Sequence, residues 1–119
     1  MIFENELVYV KKEESEIPWL IIFTKREIKE FSETTLEEKS EIFRLLDIIE
    51  KEMLYYYNPK KINIASFGNM LPRLHWHIMA RFEEDSYFPE PMWGKVQRSA
   101  RLELKSFDKF VEGLNKKLD

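Results

Sequence analysis

The ten residues Arg73-Leu-His-Trp-His-Ile-Met-Ala-Arg-Phe82 alternate in a way that leaves the chain few options. A β-strand sends successive side chains to opposite faces. One face then holds Leu74, Trp76, Ile78, Ala80 and Phe82; the other holds Arg73, His75, His77, Met79 and Arg81. The first set is wholly apolar and needs a core against it. The second gathers both histidines of the protein between two arginines. The stretch therefore predicts a sheet with one packed face and one face loaded with chemistry.

Elements to cover that core are legible on either side. Leu7–Lys11 and Trp19–Thr24 read as strands, the second so apolar and β-branched that it predicts a well-buried one. Lys61–Phe67 reads as a further strand, followed by a turn at Gly68-Asn69. A long helix is predicted from Thr35 to about Tyr57. Thr35 and Glu38 make a capping box, Asn58-Pro59 ends the helix, and Ile42, Leu45, Leu46, Ile49, Met53 and Tyr56 form one apolar stripe. Its polar face is read as Glu38, Lys39, Glu41, Arg44, Glu50, Lys51 and Glu52. A last amphipathic helix begins at Ser106 and reaches about Leu118. This order predicts an α+β fold.

Composition narrows the function. With 119 residues, 44% of them hydrophobic, the chain is predicted to form one domain over residues 1–119. Nineteen basic against 22 acidic residues leave a net charge of −3, which argues against a nucleic-acid binder. The absence of cysteine excludes disulfides, thiol catalysis and cysteine metal sites. The longest apolar run, Ile17–Phe23, is far too short for a membrane span, and the first residues carry no secretory pattern. A cytoplasmic protein without a membrane partner is the expectation.

Three readings of the histidine face compete. It is a solvated sheet surface, or a metal site completed by Glu83, Glu84 or Asp85, or a histidine nucleophile acting on a phosphate ester or anhydride. The placement of both histidines on one face disfavours the first. The flanking arginines repel a cation, which disfavours the second. The third uses every polar side chain on the face, since imidazole and guanidinium both suit an anion.

The stretch Asn63–Gly94 resembles the active-site half of the histidine triad (HIT) family, whose signature is His-φ-His-φ-His-φ-φ with φ apolar. Within that family it is similar to small bacterial proteins related to diadenosine polyphosphate hydrolases. Pro18-Trp-Leu-Ile21 and Pro91-Met-Trp-Gly94 extend the likeness over roughly residues 5–95. The resemblance implies a five-stranded antiparallel sheet with one long helix and a C-terminal helix, and a homodimer. It implies a nucleotide hydrolase or nucleotidyl transferase that cleaves at an α-phosphate and needs no cofactor. By this resemblance His75 is the nucleophile and His77 contacts the bound phosphate. Asn63 lines the nucleotide site, and Asn69 takes the place of a phosphate-binding glutamine. Arg73 replaces the first histidine of the signature, with a role in phosphate binding. Met70 stands where some members carry a serine, and Thr24–Ile28 lacks a further histidine found in many relatives. These departures keep a rival open: a member that binds nucleotides as a sensor or interaction module without turnover.

Overall fold

A computed structural model describes residues 1–119. Five strands form one antiparallel sheet: β1 (Phe3–Glu4), β2 (Val8–Lys12), β3 (Trp19–Thr24), β4 (Lys61–Ala65) and β5 (His75–Arg81). Their spatial order is β1-β2-β3-β5-β4, so the histidine strand lies inside the sheet, hydrogen-bonded on both sides. Two helices, α1 (Leu36–Tyr57) and α2 (Phe107–Leu118), complete the fold. The expected α+β architecture is the one observed. The strand β1 is an addition to the reading of the residues themselves; at two residues it carries no period to detect.

The helix α1 starts as its sequence requires. Thr35 Oγ1 accepts from the Glu38 amide at 3.0 Å, and Glu38 Oε1 accepts from the Thr35 amide at 2.8 Å. It ends at Asn58, which takes the left-handed conformation with φ 49°. Ile42, Leu45, Leu46, Ile49 and Met53 pack against Val8, Val10, Leu20, Ile22, Ile62, Ile78 and Ala80 of the sheet. Tyr57, not Tyr56, closes the buried stripe.

The polar face of α1 needs a second correction, because Glu38 and Glu52 are buried. Glu38 is held by Arg26, and Glu52 by Lys117 of α2. α2 lands on this flank at Gly113, where an added Cβ would stand 2.7 Å from Glu52 Oε2. A side chain at Gly113 would have to displace the Glu52 carboxylate that Lys117 holds.

Trp76 lies on the apolar face of β5, edge-on to Phe31 and Phe43 with ring centroids 6.0 and 6.4 Å away. It is half-buried and packs against the main core. Trp76→Ala is expected to cost about 3 kcal/mol, the lower end for a large aromatic. An unchanged thermal midpoint would show that this face does not support the fold.

Candidate active site

β5 carries His75 and His77 on the face away from α1, opposite Phe23 and Ile21 of β3. Their rings are 4.9 Å apart and steeply inclined, at 75°. Both are buried, contrary to a solvated polar face: a layer of aromatic residues covers this side of the sheet as well. Tyr9, Phe23 and His75 stack in sequence across three strands, with centroid separations of 5.0 and 5.3 Å. His77 is enclosed by Trp19, Phe67 and Trp93, at 5.6, 6.4 and 4.9 Å. Phe67 and Trp93 are themselves half exposed and form the outer edge of this aromatic cluster.

Hydrogen bonds fix what each ring nitrogen can do. His75 Nδ1 lies 2.6 Å from the Arg73 carbonyl oxygen, which only accepts. Nδ1 therefore carries the proton, and in the neutral ring Nε2 holds a free lone pair. The Ser66 hydroxyl donates to the His75 carbonyl at 2.6 Å and steadies the backbone beneath it. His77 is set the other way: its Nδ1 accepts from Trp19 Nε1–H at 3.0 Å, which leaves the proton on Nε2. The site thus pairs a nucleophilic nitrogen with a neutral N–H donor.

Burial, with help from the neighbouring His75, pushes His77 down from its usual 6.5 to about 4. The unfolded chain therefore binds more protons than the folded one between these values. Stability from this residue is complete above pH 6.5 and is lost as pH falls toward 4, a total of about 3 kcal/mol. Urea midpoints are expected to fall from pH 7 to pH 4.5, and His77→Gln to remove part of that slope. An identical slope in the variant would place the titrating group elsewhere.

The remaining expected site residues divide. Arg73 lays its guanidinium over Phe23 and Tyr9, 5.6 and 5.8 Å from the ring centroids, beside His75 on the same stack. It donates to the Thr24 carbonyl at 2.8 Å and makes a 3.3 Å contact with the exposed Glu27. A cavity of about 320 Å³ opens next to it, bounded by Glu27, Ile28, Lys29, Leu71 and Pro72. Asn69 is exposed on the loop between β4 and β5, without a hydrogen bond of its side chain. Gly68, at φ +85°, gives that loop its left-handed turn. Asn63 faces the histidine side, opposite Met79 and two rungs from the Ala65–His77 pair.

Arg81 does not join an anion site with Arg73, as alternation alone suggests. It is buried against Asp85, Nε and Nη2 to the carboxylate at 2.9 and 3.0 Å. Asp85, weighed as a metal ligand, is occupied by the same pairing. A second cavity, about 760 Å³, lies between the end of α1 and residues 101–105 and touches neither histidine. Its rim mixes Lys60, Arg101 and Lys105 with Glu83, Glu84 and Glu103, and it holds no histidine.

Sequence reading missed Trp19, Phe67 and Trp93 as walls of the site. Trp19 had a signal: it alternates with Ile21 and Phe23 on one face of a strand paired to β5. Phe67 and Trp93 come from loops, where alternation gives no signal, although Trp93 lies in the Pro91–Gly94 stretch that extends the family likeness.

The HIT domain model matches residues 1–84, which spans both histidines. The chain belongs to the HIT family. A histidine triad protein of Bradyrhizobium japonicum is 26% identical, with a TM-score of 0.79 over 98% of this chain and 88% of that one. A HIT protein of Sinorhizobium meliloti is 27% identical, with a TM-score of 0.76 over 97% and 86%. A histidine triad protein of Marinobacter aquaeolei, at 23% identity, shares the fold with a TM-score of 0.80 over 99% and 89%. No curated protein matches the chain. The HIT model ends at residue 84, so Asp85, Trp93 and α2 lie past the matched residues. No helix of this HIT protein is long and apolar enough to cross a membrane.

Proposed function

We propose that the protein is a cytoplasmic nucleotide hydrolase or nucleotidyl transferase related to bacterial diadenosine polyphosphate hydrolases. The observation that carries this reading is the bond from His75 Nδ1–H to the Arg73 carbonyl, which leaves Nε2 its lone pair. Nε2 attacks the α-phosphorus of a dinucleoside polyphosphate or nucleoside phosphoramidate. A P–N bond forms as the bond to the leaving group breaks, and the leaving group departs with that electron pair. Water then attacks the nucleotidyl-histidine, and a P–O bond forms as the P–N bond breaks. The lone pair returns to Nε2, the water's surplus proton passes to solvent, and a nucleoside monophosphate leaves. His77 Nε2–H and Asn69 hold the non-bridging oxygens as charge moves onto them, and Arg73 adds positive charge. Asn63 lines the nucleotide.

The active form is a homodimer. Leu36, Phe43 and Leu54 are exposed along one side of α1, and β4 is a free sheet edge with Ile64 exposed on it. A second copy covers both.

One observation favours the sensor reading: Arg73 stands at the first signature position and is anchored to Thr24 and Glu27. Mixing the protein with an adenosine phosphoramidate and a diadenosine polyphosphate separates the two. Released AMP supports the hydrolase, whereas binding without release supports the sensor.

A further inference from the structure

We propose that the buried Arg81–Asp85 pair positions the nucleotide site by aiming the Asn63 amide and by holding Trp93 on His77. The inference rests on the nucleotide-binding reading above and adds residues that neither the signature nor the nucleophile requires.

The pair is built to organise two elements at once. Arg81 Nη1 donates to Asn63 Oδ1 at 2.9 Å, and Nη2 donates to the Glu90 carbonyl at 2.7 Å. The Asp85 carboxylate accepts from Arg81 and from the backbone amides of Phe82, Tyr87 and Phe88, at 2.8–3.0 Å. Asp85 is fully buried and Arg81 nearly so. A buried ion pair is weak evidence of stabilisation, because apolar residues of similar volume hold a core as well or better. What it supplies here is direction.

At one end, the Asn63 amide is oriented. With Oδ1 taken by the guanidinium, its NH2 group points away from Arg81 and finds no acceptor in the protein. Asn63 shares the histidine face, opposite Met79 and next along that face from the Ala65–His77 pair, and its two N–H donors are unpaired. An uncharged oxygen of the nucleotide is the acceptor this group fits. At the other end, the chain gathered around Asp85 turns at Pro91–Gly94, where the Gly94 amide donates to the Pro91 carbonyl. Trp93 then lies on Trp19, Phe67 and His77, at 5.3, 4.7 and 4.9 Å. A side chain half exposed to water is thereby kept over the phosphate-contacting histidine.

Asn63→Asp keeps an acceptor for Arg81 and removes both donors. It is expected to melt within about 2 °C of the wild type, while Kd rises about tenfold for AMP and for adenosine. Adenosine carries no charge, so weakening confined to AMP would assign the loss to repulsion and overturn the donor. Asp85→Asn is expected to roughly double iodide quenching of Trp93, read against a Trp93→Phe background. It also raises KM for the nucleotide about tenfold and changes kcat less than about threefold. If Asp85→Asn does not fold, Arg81→Lys, which keeps the charge but cannot span Asp85, Asn63 and Glu90 together, is read in the same assays. A folded variant that keeps Trp93 shielded and KM unchanged overturns the inference. Should the wild type bind neither AMP nor adenosine, the functional reading falls with the donor, and quenching alone decides the hold on Trp93.

Discussion

His75→Ala is expected to lower the release of AMP by on the order of 10⁴-fold or more, because no other residue offers a lone pair at that place. Arg73 cannot replace it, since its guanidinium stays protonated. His77 cannot either: Trp19 donates to its Nδ1, and its Nε2 bears the proton. Mass spectrometry of the wild type quenched in acid-free conditions should show a gain equal to AMP less one water, absent from the variant. A variant that keeps most of the wild-type rate would refute the covalent route. The ring is buried against Phe23, so removing it also leaves a void, and a lower melting temperature accompanies the lost rate. His77→Ala acts through a lost phosphate contact, and its effect on rate is smaller.

The second large effect concerns the leaving group. An amine leaving phosphorus must gain a proton, whereas a nucleotide or polyphosphate leaves as a stable anion. Arg73 stands where a histidine could donate that proton, and Met70 offers no hydroxyl. The protein is therefore expected to favour phosphoanhydrides over alkylamine phosphoramidates in kcat/KM. The cavity beside Arg73 carries Lys29 and Glu27 on its rim, so with Arg73 its lining has one net positive charge to offer the departing phosphates. Arg73→His restores a group able to donate a proton and should shift the preference toward phosphoramidates by about 10²-fold, within the usual range of general-acid help. A wild-type preference for phosphoramidates, unaltered in the variant, would remove Arg73 from the choice of leaving group.

Much of this was legible because period and face are local properties. The alternation of Arg73–Phe82 put the histidines on one face, and the capping box placed the start of α1. Other features had no local sign. Glu52 reads as a solvated helix residue until α2 arrives beside it at Gly113. Arg81 shares a face with the histidines, yet its partner follows four residues later, after the strand has ended. The histidine face reads as open because its cover comes from β3 and from two loops, and sequence pattern does not report where a loop folds back.

The inner position of β5 separates two properties that enzymes often have to trade. His75, the proposed nucleophile, sits on a strand paired on both sides, so backbone amides of His75–Arg81 should exchange slowly with deuterium. The side chains that would meet the rest of a substrate lie outside that ladder: Met70 on the loop after β4, and Trp93 on the segment after β5 that Arg81 and Asp85 gather. Substitutions of these two side chains can reshape the edge of the site without disturbing the ladder that aims Nε2. Selectivity in this scaffold is thus free to drift while its chemistry stays put, and the loops after β4 and β5 are the places to engineer a new substrate.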